Sequence, residues 1–249
     1  MPQGFHLTRG GDPSRRGLLA GGVGWLLSGP ATASASTHEE PALSPADALK
    51  RLVRGNARVA HGRSIHPDSA VARRKSLTSS QHPFATVLAC ADSRVPPELI
   101  FDQGLGDLFV IRVAGNVVDD PILASVEYSV IHLGSPLVMV LGHERCGAVT
   151  ATLEALAGKG SPHDEGTKIG ALADLIAPAV RAVPSDTTDK LDAAIILNAE
   201  RSAAAILTGS PPLRARAQSG SLRVVSARYD LDDGTISHLR NAPVPAGQA

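Results

Sequence analysis

The chain has 249 residues, of which 43% are hydrophobic and 19% charged, so it is long enough and apolar enough to bury the core of one globular domain. Its 24 basic residues equal its 24 acidic residues, which excludes a global electrostatic attraction to nucleic acid or to an acidic membrane surface. Aromatic residues make up only 3%, which argues against nucleic-acid recognition by base stacking.

The first 35 residues have the order of an export signal. Basic residues, among them Arg15 and Arg16, precede an apolar run over 18–27, and small residues follow at 31–35. The arginine pair before Gly-Leu-Leu resembles a bacterial twin-arginine signal. Because the apolar run is too short and too glycine-rich to span a bilayer stably, we expect an exported protein, periplasmic or secreted, with no stable membrane insertion after signal removal. A disordered tail and an uncleaved anchor are the alternatives.

The domain is predicted over residues 44–240, between a linker at 36–43 and a flexible tail at 241–249. It should begin with a helix, because Ser44 can cap the first turn and Pro45 suits the first helical position. Apolar residues then recur at helical spacing as far as Val59. The polar stretch 61–82 is predicted to be irregular.

Short apolar runs indicate the strands of the domain. The runs 85–89, 108–113 and 137–141 are rich in β-branched residues and do not alternate with polar ones, which is typical of strands buried on both faces. A helix is predicted over 121–133, between the second and third runs, and such alternation implies a parallel sheet with crossover helices.

The C-terminal half completes this prediction. Residues 168–208 should be mostly helical, with interruptions at Pro178 and Pro184, and a fourth strand over 222–227 should run into a hairpin through Asp233-Gly234. The predicted fold class is therefore α/β: about four parallel strands plus a C-terminal antiparallel strand, flanked by helices.

The two cysteines of the chain lie in two segments that carry metal-ligand residues, Cys90-Ala-Asp92-Ser-Arg94 and His143-Glu-Arg-Cys146. Two thiolates, an imidazole and a carboxylate are ligands that four-coordinate zinc takes, and the carboxylate position is able to open for water. Cys90 should lie just past the first strand and His143 just past the third, at the carboxyl ends where open α/β sheets bind ligands. We therefore predict a catalytic metal site. Inert buried thiols and a disulfide are the alternatives.

The turn at the second segment has two further expected features. If a helix begins at His143, then His143 and Cys146 share one helical face. Gly142 and Gly147 bracket the turn and would let backbone approach a metal or a small substrate closely.

Three segments resemble the β-class carbonic anhydrases: Cys90 to Pro96, Asp107 to Asn116, and Gly142 to Val149. The likeness extends from about residue 46 to 239, and two such motifs in order are unlikely to coincide by chance. The resemblance implies reversible hydration of carbon dioxide to bicarbonate and a proton, and one zinc ion per subunit. It also implies a homodimer or larger homo-oligomer with the pocket at a subunit boundary.

The resemblance also assigns roles to single residues. It makes Cys90, His143 and Cys146 the fixed zinc ligands, and Asp92 either the fourth ligand or the partner of Arg94. Gln81 would donate a hydrogen bond to bicarbonate, and Phe109 would line the apolar pocket. Tyr128 and His132 match positions of the pocket and of proton transfer. Ala114 stands where many members have an aliphatic residue, which implies a roomier pocket wall.

The expected chemistry follows from the ligands. Zinc lowers the pKa of bound water from about 15.7 towards about 7, and the resulting hydroxide attacks carbon dioxide. Two thiolates cancel the charge of the metal, so we expect an activity that rises into mildly alkaline pH. Asp92 should act as a switch: bound to zinc it excludes hydroxide, and paired with Arg94 it leaves the position free.

Other interpretations stay open at this point. The same scaffold suits a hydrolase of carbonyl sulfide or carbon disulfide, or a non-catalytic, zinc-stabilised binding module. A thiol redox protein is disfavoured because the chain has no CxxC. Asp92 and Arg94 could also be an ordinary surface pair, Gln81 a turn residue, and Tyr128 and His132 core packing.

Overall fold

The computed structural model describes residues 43–159 and 167–246. The predicted export signal, nearly all of the predicted linker and the last three residues of the predicted tail lie outside this described part. Within it, a five-stranded sheet has the order β2-β1-β3-β4-β5. The strands are β1 (Ala85–Ala89), β2 (Leu108–Arg112), β3 (Leu137–His143), β4 (Arg223–Tyr229) and β5 (Ile236–Asn241).

The pairing of these strands confirms the predicted fold class. Strand β1 lies parallel to both β2 and β3, β3 lies parallel to β4, and β4 pairs antiparallel with β5. The predicted hairpin joins the last two strands, and Gly234 takes a φ of 73° in its turn, a left-handed value that glycine adopts without steric penalty. Because β1 and β3 are parallel neighbours, their carboxyl ends lie side by side at one edge of the sheet.

Helices cover the sheet and connect its strands. They are α1 (Pro45–Ala60), α2 (Val71–Ser76), α3 (Pro97–Ile100), α4 (Asp120–Ile131), α5 (Gly147–Leu156), α6 (Ile169–Arg181), α7 (Lys190–Gly209) and α8 (Pro211–Gln218), with a 3-10 turn at Ala114–Asn116. Helix α1 begins as predicted, because the Ser44 hydroxyl oxygen accepts a hydrogen bond from the Asp47 backbone N–H at 3.1 Å. No helix in the described ranges is both long enough and apolar enough to cross a membrane.

The core forms one layer on each face of the sheet. Side chains of the central strands alternate between the two layers, so Met139 faces a cluster that contains residues of α1, α5 and α6, whereas Val138 and Val140 face a cluster that contains residues of α4, α7 and α8. Both faces are apolar, which explains why the strand sequences do not alternate with polar residues.

Several predicted boundaries were wrong. A short helix, α2, interrupts the stretch 61–82 that was predicted to be irregular. Pro178 lies inside α6 instead of interrupting it. The predicted tail begins too early: Asn241 belongs to β5, and the Ala242 N–H donates to the Val224 carbonyl oxygen at 2.9 Å.

Candidate metal centre

The three side chains predicted as fixed ligands come together at the carboxyl ends of β1 and β3. Cys90 follows β1 directly, His143 is the last residue of β3, and Cys146 caps the amino end of α5. Their candidate ligand atoms all lie within 4.8 Å of one another, and the exposed fractions are 4% for Cys90, 0% for His143 and 1% for Cys146. We call this group the cysteine–histidine cluster.

The turn that unites His143 and Cys146 is not the predicted helix. His143 still belongs to β3, and α5 begins only at Gly147. Between the two ligands, Arg145 takes a φ of 52°, in the left-handed region that non-glycine residues rarely adopt. The expected shared helical face was therefore wrong, and this tight strand-to-helix turn brings the two side chains together.

The imidazole of His143 is oriented as a metal ligand requires. Its Nδ1 lies 2.9 Å from the carbonyl oxygen of Glu144, to which it donates, so Nε2 is the nitrogen with a free lone pair. That Nε2 is buried and has no hydrogen-bond partner. A buried acceptor without a partner is costly unless a cation or another donor occupies the site, so the histidine fits a metal.

The two thiols also fit a metal. Their sulfur atoms are 3.9 Å apart, and two sulfurs bound at about 2.3 Å to one tetrahedral zinc ion lie about 3.8 Å apart. The adjacent Cys146 thiol, followed by the His143 ring and by backbone N–H groups, lowers the pKa of Cys90 to about 4, against burial that raises it. The interaction with Cys90 raises the pKa of Cys146 in turn. Without a cation, the pair therefore retains one proton that a metal would displace.

Hydrogen bonds from Arg112 and Gly115 fix the loop that carries Cys90. The Arg112 guanidinium donates to the carbonyl oxygen of Cys90 at 3.0 Å and to that of Asp92. The Gly115 N–H donates to the Cys90 sulfur at 3.3 Å. Both donors lie at the end of β2 or just after it, so the neighbouring strand holds the Cys90 loop in place.

Asp92 is held by Arg94 and is not part of the cysteine–histidine cluster. Arg94 donates through Nε to Oδ1 at 2.9 Å and through Nη2 to Oδ2 at 2.7 Å, which is the paired fork that guanidinium forms with carboxylate. These hydrogen bonds hold the pKa of Asp92 well below its usual range. Asp92 Oδ2 remains 3.9 Å from His143 Nε2, at the edge of the cluster.

The two glycines that bracket the turn have different surroundings. A Cβ on Gly142 would lie 3.3 Å from side-chain atoms of Ile195 and Ala199, so this glycine permits close packing of α7 against β3. A Cβ on Gly147 would meet nothing within 4 Å. The expected close approach of the backbone at these glycines to a metal or a small substrate stays a prediction.

The remaining predicted site residues lie elsewhere in the chain. Gln81, Tyr128 and His132 line an open groove of about 780 Å³ that none of the cluster residues lines; we call it the polar groove. The Tyr128 ring lies between those of Phe109 and His132, with centroid distances of 6.1 Å and 5.3 Å. Tyr128 is 48% exposed, which is high for a core aromatic residue.

Strand β1 separates Gln81 from Cys90. Gln81 precedes the amino end of β1 and Cys90 follows its carboxyl end, and five strand residues span about 17 Å at about 3.3 Å per residue. Within one chain, Gln81 therefore does not reach the cysteine–histidine cluster. The order of Gln81, strand and Cys90 along the sequence was already sufficient to indicate this separation.

The turn from His143 to Cys146 has a second support that was not predicted from the sequence. Arg145 donates to both carboxylate oxygens of Asp232 at 3.0 and 2.7 Å, and the Leu231 N–H donates to Glu144 Oε2 at 3.1 Å. Both contacts join residues that are 87 positions apart and have no local sequence signal. The turn between β4 and β5 therefore holds the segment that carries His143 and Cys146.

Comparisons with known proteins agree with this architecture. A family model described as carbonic anhydrase matches residues 85–236. Carbonic anhydrase 2 of Mycobacterium tuberculosis is 40% identical over 198 residues, which cover 78% of this chain and 92% of the relative.

Solved structures give the same result. The β-carbonic anhydrase CcaA aligns with a TM-score of 0.58 at 26% identity, covering 76% of this chain and 93% of that one. One of two β-carbonic anhydrases from Sordaria macrospora, described as tetrameric, aligns with a TM-score of 0.57 at 22% identity. The alignment covers 77% of this chain and 96% of that one. At this identity the likeness concerns the fold alone. The chain belongs to the β-class carbonic anhydrase family.

Proposed function

We propose that this protein is a zinc-dependent carbonic anhydrase that interconverts carbon dioxide and bicarbonate. The observation that carries the proposal is the convergence of Cys90, Cys146 and the unpartnered Nε2 of His143 within 4.8 Å in a buried site. Two thiolates and one imidazole are a ligand set that suits zinc. When bound there, zinc would supply an acidified water as the nucleophile for carbon dioxide.

Asp92 and Arg94 supply a positioned acceptor beside that site. Arg94 keeps the carboxylate ionised and turned into the fork, so Asp92 is available to accept a hydrogen bond at the edge of the cluster. If Asp92 left Arg94, the carboxylate would lie close enough to compete for the metal as a fourth ligand. Asp92 and Arg94 could therefore act as a switch: the fourth metal position is open while Asp92 is paired with Arg94 and closed when Asp92 binds the metal.

We further propose that the working enzyme is a homodimer or a larger assembly of dimers, in which the polar groove of one copy faces the cysteine–histidine cluster of another. Within one chain, β1 keeps Gln81 away from Cys90, so Gln81 has a place beside the substrate only across a subunit boundary. The groove then supplies a donor from Gln81, an apolar wall from Tyr128, whose ring lies 6.1 Å from that of Phe109, and an exposed imidazole from His132 for proton transfer. The tetrameric description of the Sordaria macrospora enzymes is consistent with such an assembly.

The export signal over 1–35 remains a proposal that rests on sequence. A twin-arginine route suits this protein, because a chain folded and loaded with metal before transport would protect both thiolates from oxidation. Fusion of residues 1–40 to a reporter, with Arg15→Lys/Arg16→Lys as the matched control, would test it. Export of the reporter is expected, and equal export of the double variant would contradict a twin-arginine route.

Purified protein, analysed for metal and assayed with carbon dioxide, tests the main proposal. We expect about one zinc ion per chain and a hydration rate that is lost on chelation and restored by zinc. The same preparation would be assayed with carbonyl sulfide. Stoichiometric zinc without hydration activity at any pH would contradict the proposed reaction, and hydrolysis of carbonyl sulfide alone would transfer the chemistry to that substrate.

A further inference from the structure

A chain of two hydrogen bonds links the Cys90 sulfur to a buried side chain of α7. The Gly115 N–H donates to Cys90 Sγ at 3.3 Å, and the Gly115 carbonyl oxygen accepts a hydrogen bond from Asn198 Nδ2 at 2.7 Å. Asn198 is 3% exposed. A strong, buried hydrogen bond therefore acts on the residue that touches the thiolate.

Gly115 needs such a restraint. It takes a φ of 69° in the turn after β2, and a Cβ at this position would lie 2.7 Å from Ile176 Cδ1. Glycine permits this conformation but is also the residue with the greatest backbone freedom. Ile176 closes one side of the turn by packing, and Asn198 fixes the carbonyl, so the direction of the Gly115 N–H depends on both.

The N–H matters because it acts on a charged sulfur in a buried site. A hydrogen bond to an anion is stronger than one between neutral groups, and it strengthens further where water is excluded. Groups behind metal ligands orient those ligands and tune the metal, and their removal commonly weakens metal binding about 10- to 100-fold.

We infer that Asn198 is a positioning residue of the metal centre, which holds the Gly115 N–H on the Cys90 thiolate and thereby tightens metal binding. This inference rests on the proposed metal-binding function and deepens it. It assigns to α7 a role in the site, although the hydrogen bond of Asn198 goes to Gly115 and not to a candidate ligand.

The test uses the full-length protein loaded with cobalt, whose sulfur-to-metal charge-transfer band reports directly on the thiolates. In Asn198→Ala we expect this band to move to lower energy, because a thiolate without its hydrogen bond is a better electron donor. We also expect the zinc dissociation constant, measured by competition with a chelator, to rise about tenfold. Asn198→Ser, with a hydroxyl too short to reach Gly115, should behave in the same way.

Asn56→Ala is the matched control. Asn56 is also a 3% exposed asparagine, and its Nδ2 also donates to backbone carbonyls, those of Ile100 at 3.2 Å and Gly234 at 2.8 Å. Gly234 lies in the turn between β4 and β5, but neither Ile100 nor Gly234 hydrogen-bonds to a cysteine. The control should lose thermal stability and keep the wild-type cobalt spectrum. This separates a position-specific effect on the thiolate from a general loss of core hydrogen bonds.

The possible results separate the inference from the function on which it rests. If wild-type protein binds neither cobalt nor zinc, the proposed metal function is wrong. If wild-type protein binds both, and the Asn198 variants show the same band and the same zinc affinity, only the inference is overturned. Failure of both Asn198 variants to fold with cobalt present, while Asn56→Ala folds, would also overturn it by making Asn198 a residue of general stability.

Discussion

The cysteine–histidine cluster is assembled inside one chain, whereas the polar groove with Gln81, Tyr128 and His132 lies apart from it. The cluster is buried, its loops are fixed by backbone hydrogen bonds, and its geometry suits a metal without any partner. The groove is open, and Tyr128 in it is 48% exposed. Under the proposed function, folding of one chain completes the metal site, whereas assembly of two copies is needed to complete the substrate site.

The largest effect is expected inside the cluster. Cys146→Ser replaces a thiolate with a hydroxyl that zinc binds poorly, so we expect loss of stoichiometric zinc and a hydration rate lowered at least about 1,000-fold. Metal analysis and stopped-flow hydration assays would measure this. Thr152→Ser, a similarly small change at a buried position of the same helix, should retain both properties. Wild-type activity in Cys146→Ser would exclude the proposed ligand set.

A smaller effect is expected at Arg94. In Arg94→Ala the Asp92 carboxylate loses its fork and is free to compete for the metal, so we expect full zinc content with a rate lowered about 100-fold. Arg94→Lys should restore only part of the rate, because ammonium cannot form the paired contact. Arg201→Ala, at an exposed position of α7, is the control. A near-normal rate in Arg94→Ala would make the pair an ordinary surface contact.

The pH dependence of the hydration rate tests whether Asp92 is the group whose titration causes the alkaline rise. Because Arg94 depresses the pKa of Asp92, the pairing is present above the usual aspartate pKa and is lost only as the pH falls through the lowered value. Asp92 is therefore ionised throughout the neutral and alkaline range. We expect Asp92→Asn to lower the rate but to leave the midpoint of the alkaline rise where it is in wild type. A shift of that midpoint by a pH unit or more would show that Asp92 itself titrates there.

The smallest effect is expected in the groove, at His132. His132 is an exposed residue at the C-terminal end of α4. Because buffer can also carry the proton away from the site, His132→Ala should lower turnover only a few-fold. An imidazole buffer should restore the rate if the lost function is proton transfer. His61→Ala is the matched control, because His61 is also an exposed histidine at a helix C-terminus. Equal rates in both variants and wild type would remove His132 from the mechanism.

Local patterns in the sequence were sufficient to predict the strands and the convergence of the cysteine–histidine cluster. The run 85–89 coincides with β1, and the ligand motifs follow β1 or end β3, where parallel strands bring them together. The contacts that hold the site had no such pattern. Asn198 meets Gly115 and Arg145 meets Asp232 only after folding, across 83 and 87 residues respectively, and asparagine or arginine alone has no periodic signal.

The division between cluster and groove is tested most directly by mixing one inactive variant with one impaired variant. Cys146→Ser keeps an intact groove, and Gln81→Ala keeps an intact metal site but loses a hydrogen-bond donor to bicarbonate, which we expect to lower the rate by about 10- to 100-fold. If the groove of one copy serves the metal of the other, random reassembly of equal amounts should recover about one quarter of wild-type activity, because half of the dimers then contain one complete site. No recovery above the mean of the two separate variants, in samples shown to have exchanged subunits, would contradict a site completed between copies.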